Sequence, residues 1–188
     1  MLRRRAPFCS AGFTLAEVLV ALLVVALGIA GAAALQTRAL RTAREAARLS
    51  AASQLAAALA ERMRANPVAM ALPDVDNPYL QFDYDAAAGP PQPAASCYAD
   101  TDCPPDALAA FDRFEVAQAV AAQLPGGHIR VCRDAGPVAT SGLLPWACDG
   151  QAGAPLAIKL GWRSAGAADA PSVLLLAGAG LPAVAGAP

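Results

Sequence analysis

The chain has 188 residues, a hydrophobic fraction of 56%, a charged fraction of 15% and a formal net charge of −1. This length suits one modest domain with a long appended element, and two large independent domains are not expected. The near-neutral charge gives no support to general nucleic-acid binding, which needs a basic surface.

The apolar residues are concentrated near the start of the chain. Residues 13–35 contain a single ionisable side chain, Glu17, and at about 1.5 Å per residue they would cross a hydrocarbon core of about 30 Å. Arg3, Arg4 and Arg5 precede this run, and the positive-inside tendency would hold them in the cytoplasm. We therefore predict that residues 1–12 are a removable leader and that residues 13–35 span a membrane.

An ordinary secretory signal peptide is the alternative interpretation of this segment. Small residues at 31–34 would suit its cleavage. Two features disfavour it, because the apolar run exceeds the usual signal core and carries Glu17 near its beginning.

The helical pattern continues beyond the apolar run. Residues 36–64 contain no proline and no glycine, and the residue before Pro67 is pushed out of the helical region. One helix over residues 13–66 is predicted, apolar all round in its first half and amphipathic in its second. Its apolar stripe follows spacings of three and four residues through Leu49, Ala52, Ala56, Leu59 and Met63.

A set of arginines recurs at helical spacing just beyond the apolar run, namely Arg38, Arg41, Arg44 and Arg48. Three interpretations stay open. The arginines would meet anionic lipid headgroups, acidic groups of a neighbouring subunit, or only solvent.

Residues 67–188 are predicted to form an extracytoplasmic α+β domain. Residues 70–96 form an irregular connection anchored by Tyr79, Phe82 and Tyr84. A second helix of about 20 residues follows, with Asp102 as its cap and Pro104 and Pro105 in its first turn. Its predicted buried stripe consists of Ala110, Phe114, Ala117, Ala121 and Leu124.

The sequence period then changes from 3.6 to 2, which is typical of strands. Strands are predicted at residues 128–133, 156–163 and 172–177, and a loose tail at 181–188. The predicted architecture is a long N-terminal helix packed on a small antiparallel sheet with a second helix.

Catalytic, metal and cofactor sites are not expected. His128 is the only histidine, and the cysteines show no CxxC pair. Cys9 lies in the predicted leader, whereas Cys97, Cys103, Cys132 and Cys148 remain. In an oxidising compartment they suggest two disulfides with three possible connectivities. We favour Cys97 with Cys103 and Cys132 with Cys148, because each pair brackets a short polar loop.

Glu17 is the strongest candidate for a functional side chain. A carboxylate in the bilayer core costs at least about 2.5 kcal/mol unless it is partnered. The available compensating charge is an amino terminus, which cleavage shortly before Glu17 would create.

The N-terminal residues resemble a known motif. Residues 12–17 read Gly-Phe-Thr-Leu-Ala-Glu, which is similar to the cleavage and methylation motif of type IV prepilins and type II secretion pseudopilins. Further on, residues 60–67, the cysteine-bounded segment 97–103 and the Leu-Pro-Gly-Gly turn at 124–127 resemble the minor-pilin subfamily called PilV.

The resemblance implies cleavage after Gly12 by a membrane aspartic prepilin peptidase and N-methylation of Phe13. It also implies that Glu17 recognises the amino terminus of an adjacent pilin during assembly. The chain departs from many major pilins in having no proline inside its apolar run.

A minor pilin of a priming or tip complex is therefore the expected function. The expected partners are other minor and major pilins, prepilin peptidase, the inner-membrane assembly platform and membrane lipid, without nucleic acid. The expected location is the inner membrane, single-pass with a periplasmic C-terminal domain, and from there the extracellular pilus. The alternatives are a type II secretion minor pseudopilin, a DNA-binding minor pilin for transformation, and a secreted enzyme, for which no nucleophile and base are found.

Overall fold

The computed structural model describes residues 12–98, 102–136, 144–163, 170–177 and 183–184. The predicted leader residues 1–11, with their arginine cluster and Cys9, lie outside the described residues. The chain divides into two compact units, Met1–Arg44 and Glu45–Pro188.

A single helix, α1 at Leu15–Ala65, accounts for the first unit from Leu15 onward and continues into the second. It has 51 residues, which confirms the predicted long N-terminal helix. Every residue from Gly12 to Arg44 is exposed. The segment is helical because alanine and leucine favour the helix and no proline interrupts it. The helix is also long and apolar enough to cross a membrane.

Within the second unit, α1 buries the predicted stripe. Ala52, Ala56, Leu59 and Met63 are buried, and Leu49 packs partly against the same core. The helix ends at Ala65, where Asn66 turns the chain. The Asn66 side chain accepts a hydrogen bond from the Ala69 amide at 3.3 Å and so caps a short helix, α2 at Pro67–Met70.

Among the described residues, the sheet has five antiparallel strands in the order in which they occur along the chain. Their bounds are β1 Asp83–Asp85, β2 His128–Arg133, β3 Leu156–Gly161, β4 Val173–Ala177 and β5 Ala183–Val184. Ile129 lies opposite Leu160, and Ile158 lies opposite Leu175. These side chains share one core with the buried stripe of α1.

The three predicted strands are present, and two short strands were not predicted. Strand β1, with the sequence Asp-Tyr-Asp, lies inside the segment interpreted as irregular, and a 3-10 turn at Ala86–Ala88 follows it. Strand β5 lies in the predicted loose tail. Each is too short for a period to be recognised, and each forms because a longer neighbouring strand offers a free edge. The predicted anchors Tyr79 and Phe82 are buried.

The second long helix, α3 at Pro105–Gln123, corrects two predictions. Its cap residue is Pro104, without a side-chain cap hydrogen bond, so the prediction of Asp102 as cap was wrong. The predicted stripe was right at Ala117 and Leu124, which are buried. Its phase was wrong elsewhere, because Ala110 and Ala121 are exposed. The buried residues of the helix are Ala109, Phe111, Asp112, Val116, Ala117 and Val120.

A charged side chain causes this difference in phase. Asp112 is only 5% exposed, and a search for apolar residues alone cannot place a carboxylate on a buried face. The burial is possible because Asp112 has a cation and a hydroxyl as partners, as described below.

Candidate assembly site

The start of α1 is closed by a reciprocal pair of hydrogen bonds. The Glu17 amide donates to the Thr14 hydroxyl oxygen at 3.2 Å, and the Thr14 amide donates to Glu17 Oε2 at 3.1 Å. The Thr14 hydroxyl is also 3.2 Å from Oε2. This arrangement is a capping box, in which residues three apart satisfy the free amides of the first helical turn. Glu17 is therefore held at the tip of the helix.

The two residues before this cap are open to their surroundings. Gly12 has no atom within 4 Å of the position that a Cβ would take. Phe13 is 86% exposed, and neither residue belongs to the helix. The other carboxylate oxygen of Glu17, Oε1, has no hydrogen-bond partner within the described residues. The site thus presents an accessible Gly-Phe peptide bond and a carboxylate with one free oxygen.

The helix behind this site is apolar on all sides. Its exposed large side chains up to residue 35 are Leu15, Val18, Leu19, Val20, Leu22, Leu23, Val24, Val25, Leu27, Ile29 and Leu35. A contiguous apolar surface of this size is not stable in water and marks a membrane or a protein interface. Glu17 is the only acid on it.

The domain holds α1 from Glu45 onward. The Trp162 indole N–H donates to Glu45 Oε1 at 2.9 Å, and Arg48 lies 3.3 Å from Glu45 Oε2. Trp162 follows β3 directly, so the helix is attached there to the end of a central strand. Both carboxylate oxygens of Glu45 are engaged by these contacts.

A polar network joins the C-terminal end of α1 to α3. The Arg62 guanidinium donates to Asp112 and to Glu115, each at 3.0 Å, and the Tyr79 hydroxyl donates to Asp112 Oδ2 at 2.7 Å. Burial and the hydrogen bond to Asp112 raise the pKa of Tyr79. The hydrogen bonds from Tyr98 and Arg62 lower the pKa of Glu115. The lowered pKa keeps the Glu115 carboxyl ionised at neutral pH, and the network attaches α1 to α3.

The predicted cysteine positions lie in two local pairs. Cys97 and Cys103 are joined with a Cα–Cα distance of 5.8 Å. Cys132 and Cys148 are joined with a Cα–Cα distance of 6.3 Å. The first disulfide closes a short loop just before α3. The second links residues 144–149 to β2.

The second disulfide lies beside a buried lysine. Lys159 is fully buried, and its ammonium donates to Asp134 Oδ2 at 2.5 Å. It also donates to the backbone carbonyls of Pro145 at 2.8 Å and Ala147 at 2.7 Å. All three protons of the ammonium are used. The segment that covers the second face of the sheet is thus bound to β3 as well as to β2.

Other polar side chains form local pairs without a shared focus. His128 stacks on Trp146 with ring centroids 3.8 Å apart and lies 2.7 Å from Asp83. Asp74 pairs with Arg133 at 2.6 Å, and this hydrogen bond lowers the pKa of the carboxyl. Within the described ranges, no group of three or more possible metal ligands occurs.

Three residues with important contacts in the structure were not predicted from the sequence, namely Thr14, Asp112 and Lys159. Thr14 had a signal, since Thr-x-x-Glu before an apolar run is typical of a capping box. Asp112 had only a weak signal. It lies on the buried side of α3 once the apolar stripe of that helix is placed correctly. Lys159 occupies an alternating strand position that is ordinarily solvent-facing, and nothing local predicts its burial.

The long exposed apolar helix, followed by a small antiparallel sheet and a second helix, gives the described residues a pilin-like α+β architecture. Residues 8–33 match the prokaryotic N-terminal methylation motif. Residues 34–114 match the family model Tt1218-like, described as type IV pilin Tt1218. Together these matches support a type IV pilin, a structural class of protein, and they fit membrane anchoring through α1. No match was found among curated proteins or among solved structures.

Proposed function

We propose that the chain is a minor pilin that takes part in priming or capping a type IV pilus. Its leader is removed between Gly12 and Phe13, and Phe13 is then N-methylated. Residues 13–35 hold it in the inner membrane, and the domain at residues 67–188 is periplasmic until assembly. Its partners are prepilin peptidase, the assembly platform and other pilins.

The observation that carries this proposal is the arrangement at the tip of α1. Glu17 is held by Thr14 through one oxygen, while its other oxygen is free within the described part of the chain. In hydrocarbon, that oxygen would attract the charged amino group of a neighbouring subunit strongly. The methylation-motif match covers the same residues.

A role in DNA uptake receives less support from the domain. Binding of single-stranded nucleic acid needs a basic groove with aromatic side chains on which the bases stack. Arg133 pairs with Asp74, Arg130 lies 3.6 Å from Asp83, and Arg113 is directed onto the Phe82 ring and the Pro78 carbonyl. These contacts occupy three of the domain's arginines and leave no basic stripe among them.

Processing is the first test. The variant Gly12→Val should accumulate uncut, because a branched side chain obstructs an extended peptide in a narrow protease cleft. The measurement is intact-mass and N-terminal mass spectrometry of membrane fractions, in which the wild type should begin with methylated Phe13.

The matched control is Gly31→Val, which adds the same side chain inside the apolar run, where a Cβ meets nothing within 4 Å. It should be cut like the wild type. A mature chain that begins near residue 34 would show signal-peptidase processing and would contradict the proposal, as would normal processing of Gly12→Val.

A further inference from the structure

Three arginines just beyond the apolar run form an unpaired basic surface on α1. Arg38, Arg41 and Arg44 are exposed, and none of them forms an ion pair with any residue that the structure describes. We call this set the arginine collar. It is the largest charge imbalance on the helix, because the chain has no acid between Glu17 and Glu45.

Glu45 is the one acid close enough along the helix to pair with the collar, and its carboxylate already has other partners. Glu45 lies four residues after Arg41, a spacing that favours an ion pair. Its two oxygens instead bind the Trp162 indole at 2.9 Å and Arg48 at 3.3 Å. The chain therefore neutralises the next arginine along the helix and leaves the collar without a partner.

The collar lies on one side of the helix. At about 100° per residue, residues three apart are offset by about 60°, so Arg38, Arg41 and Arg44 fall within an arc of about 120°. Small residues, Ala39 and Ala43, occupy the opposite side. The hydroxyls of Thr37 and Thr42 donate to the backbone carbonyls of Ala34 and Arg38, so they do not compete for the same ligand.

The depth of the collar in a membrane indicates what it binds. At 1.5 Å rise per residue, Arg38 lies about 4.5 Å beyond Leu35, Arg41 about 9 Å and Arg44 about 14 Å. The headgroup layer extends roughly 5 to 8 Å on each side of the hydrocarbon core, and arginine side chains bend toward it along their apolar stems. With residues 13–35 in the hydrocarbon core, the guanidinium groups of Arg38 and Arg41 would lie at the level of the lipid phosphates.

We propose that the arginine collar binds the phosphate groups of anionic phospholipids in the leaflet from which the helix emerges. This inference rests on the proposed function, because it requires residues 13–35 to span the bilayer. A basic residue near a charged membrane surface strengthens lipid attraction about fivefold, and guanidinium pairs with phosphate oxygens through two parallel hydrogen bonds. The contribution should fall from Arg38 to Arg44 as the distance from the phosphates increases.

The test measures which lipids surround the full chain. The protein is reconstituted in phosphatidylcholine bilayers with spin-labelled phosphatidylglycerol or phosphatidylcholine, and electron spin resonance gives the fraction of each label that the protein restricts. The wild type should prefer phosphatidylglycerol several-fold. Replacing the collar by Arg38→Gln, Arg41→Gln and Arg44→Gln together should abolish most of this preference, so that the protein restricts the two labels nearly equally. The triple lysine variant should largely keep the preference.

The matched control is Arg64→Gln, an exposed arginine on the same helix far from the apolar run, which should leave the preference unchanged. An unchanged preference in the triple glutamine variant overturns the inference. A loss of subunit cross-linking in that variant, with lipid preference unaltered, would overturn it in favour of acidic groups on a neighbour. If neither label is restricted by the wild type, the chain does not span the bilayer, and the membrane proposal fails with it.

Discussion

Glu17 is bound within its own chain before any neighbour is present. The capping box with Thr14 contributes on the order of 1 kcal/mol to the start of the helix. A substitution that removes the carboxylate therefore removes two things, the helix cap and the charge. Any test of its role in assembly has to separate them.

The variant Glu17→Val should be cleaved, stay in the inner membrane and fold its disulfide-bonded domain, because an unpaired carboxylate in lipid is unfavourable. It should fail to restore piliation in a strain lacking the wild-type protein. The measurement is pilus counting by electron microscopy beside immunoblots of the membrane fraction.

Two further variants assign the effect to the charge or to the cap. Glu17→Gln keeps an oxygen that can accept the Thr14 amide but has no charge, and it should fail like Glu17→Val. Thr14→Ala keeps the charge and loses the hydroxyl, and it should restore piliation. Full piliation by Glu17→Gln would show that Glu17 acts only as a cap.

Some of the important residues could be predicted from the sequence and others could not, and the difference has a physical reason. The unusual character of Glu17 was evident because a carboxylate in an apolar run is costly wherever that run folds. The partner Thr14 is a local feature and was predictable from spacing. Lys159 was not, because its burial depends on how the irregular segment at residues 144–149 folds back over the sheet.

At the level of elements, the second face of the sheet depends on the segment at residues 144–149. Leu144 packs there on Ala157 and Leu174, while Lys159 holds the backbone of the segment. A buried ammonium without its carboxylate, or the reverse, is strongly destabilising. The segment and strand β3 are therefore coupled through the Lys159 ammonium, whose charge Asp134 balances.

The variant Lys159→Met should destabilise the domain by about 3 to 5 kcal/mol, because it leaves Asp134 charged and buried. The measurement is thermal unfolding in mild detergent, followed by fluorescence of Trp146 and Trp162. The double variant Lys159→Met with Asp134→Leu should recover part of the loss, since no unpaired charge remains.

The control for this pair is Arg64→Gln, which breaks an exposed ion pair with Glu61. Exposed pairs contribute about 0 to 1 kcal/mol, so its unfolding should stay near that of the wild type. Equal stability of Lys159→Met and the wild type would contradict the proposed role of the buried pair.

Elements were predicted best where one period extends over many residues. The continuous helix α1 and strands β2, β3 and β4 follow directly from their apolar patterns. The phase of α3 was wrong because Asp112 and its partners Arg62 and Tyr79 come from three separate segments. Only the tertiary structure shows that a carboxylate belongs to that buried face.

For the whole molecule, the fold class was predictable because the apolar run and the later change of period are global features. The sequence also supported local pairing of the cysteines, although it left three connectivities open. The structure joins Cys97 to Cys103 and Cys132 to Cys148.

Peptide mapping of the purified protein checks these pairs. Without reduction, trypsin should leave Cys97 and Cys103 inside one peptide, residues 65–113, with a mass lower by two hydrogens. It should link the tripeptide 131–133 to residues 134–159. Reduction should release the tripeptide, and a covalent link between residues 65–113 and 134–159 would contradict the pairing.

The order of the cysteines along the chain has a consequence for biogenesis. The first cysteine of the domain is bonded to the second, and the third is bonded to the fourth. In the proposed orientation the polypeptide crosses the membrane with Cys97 and Cys103 ahead of Cys132 and Cys148. A general oxidant acting on thiols as they emerge would therefore form the native bonds first, and the domain would need no disulfide isomerase to mature.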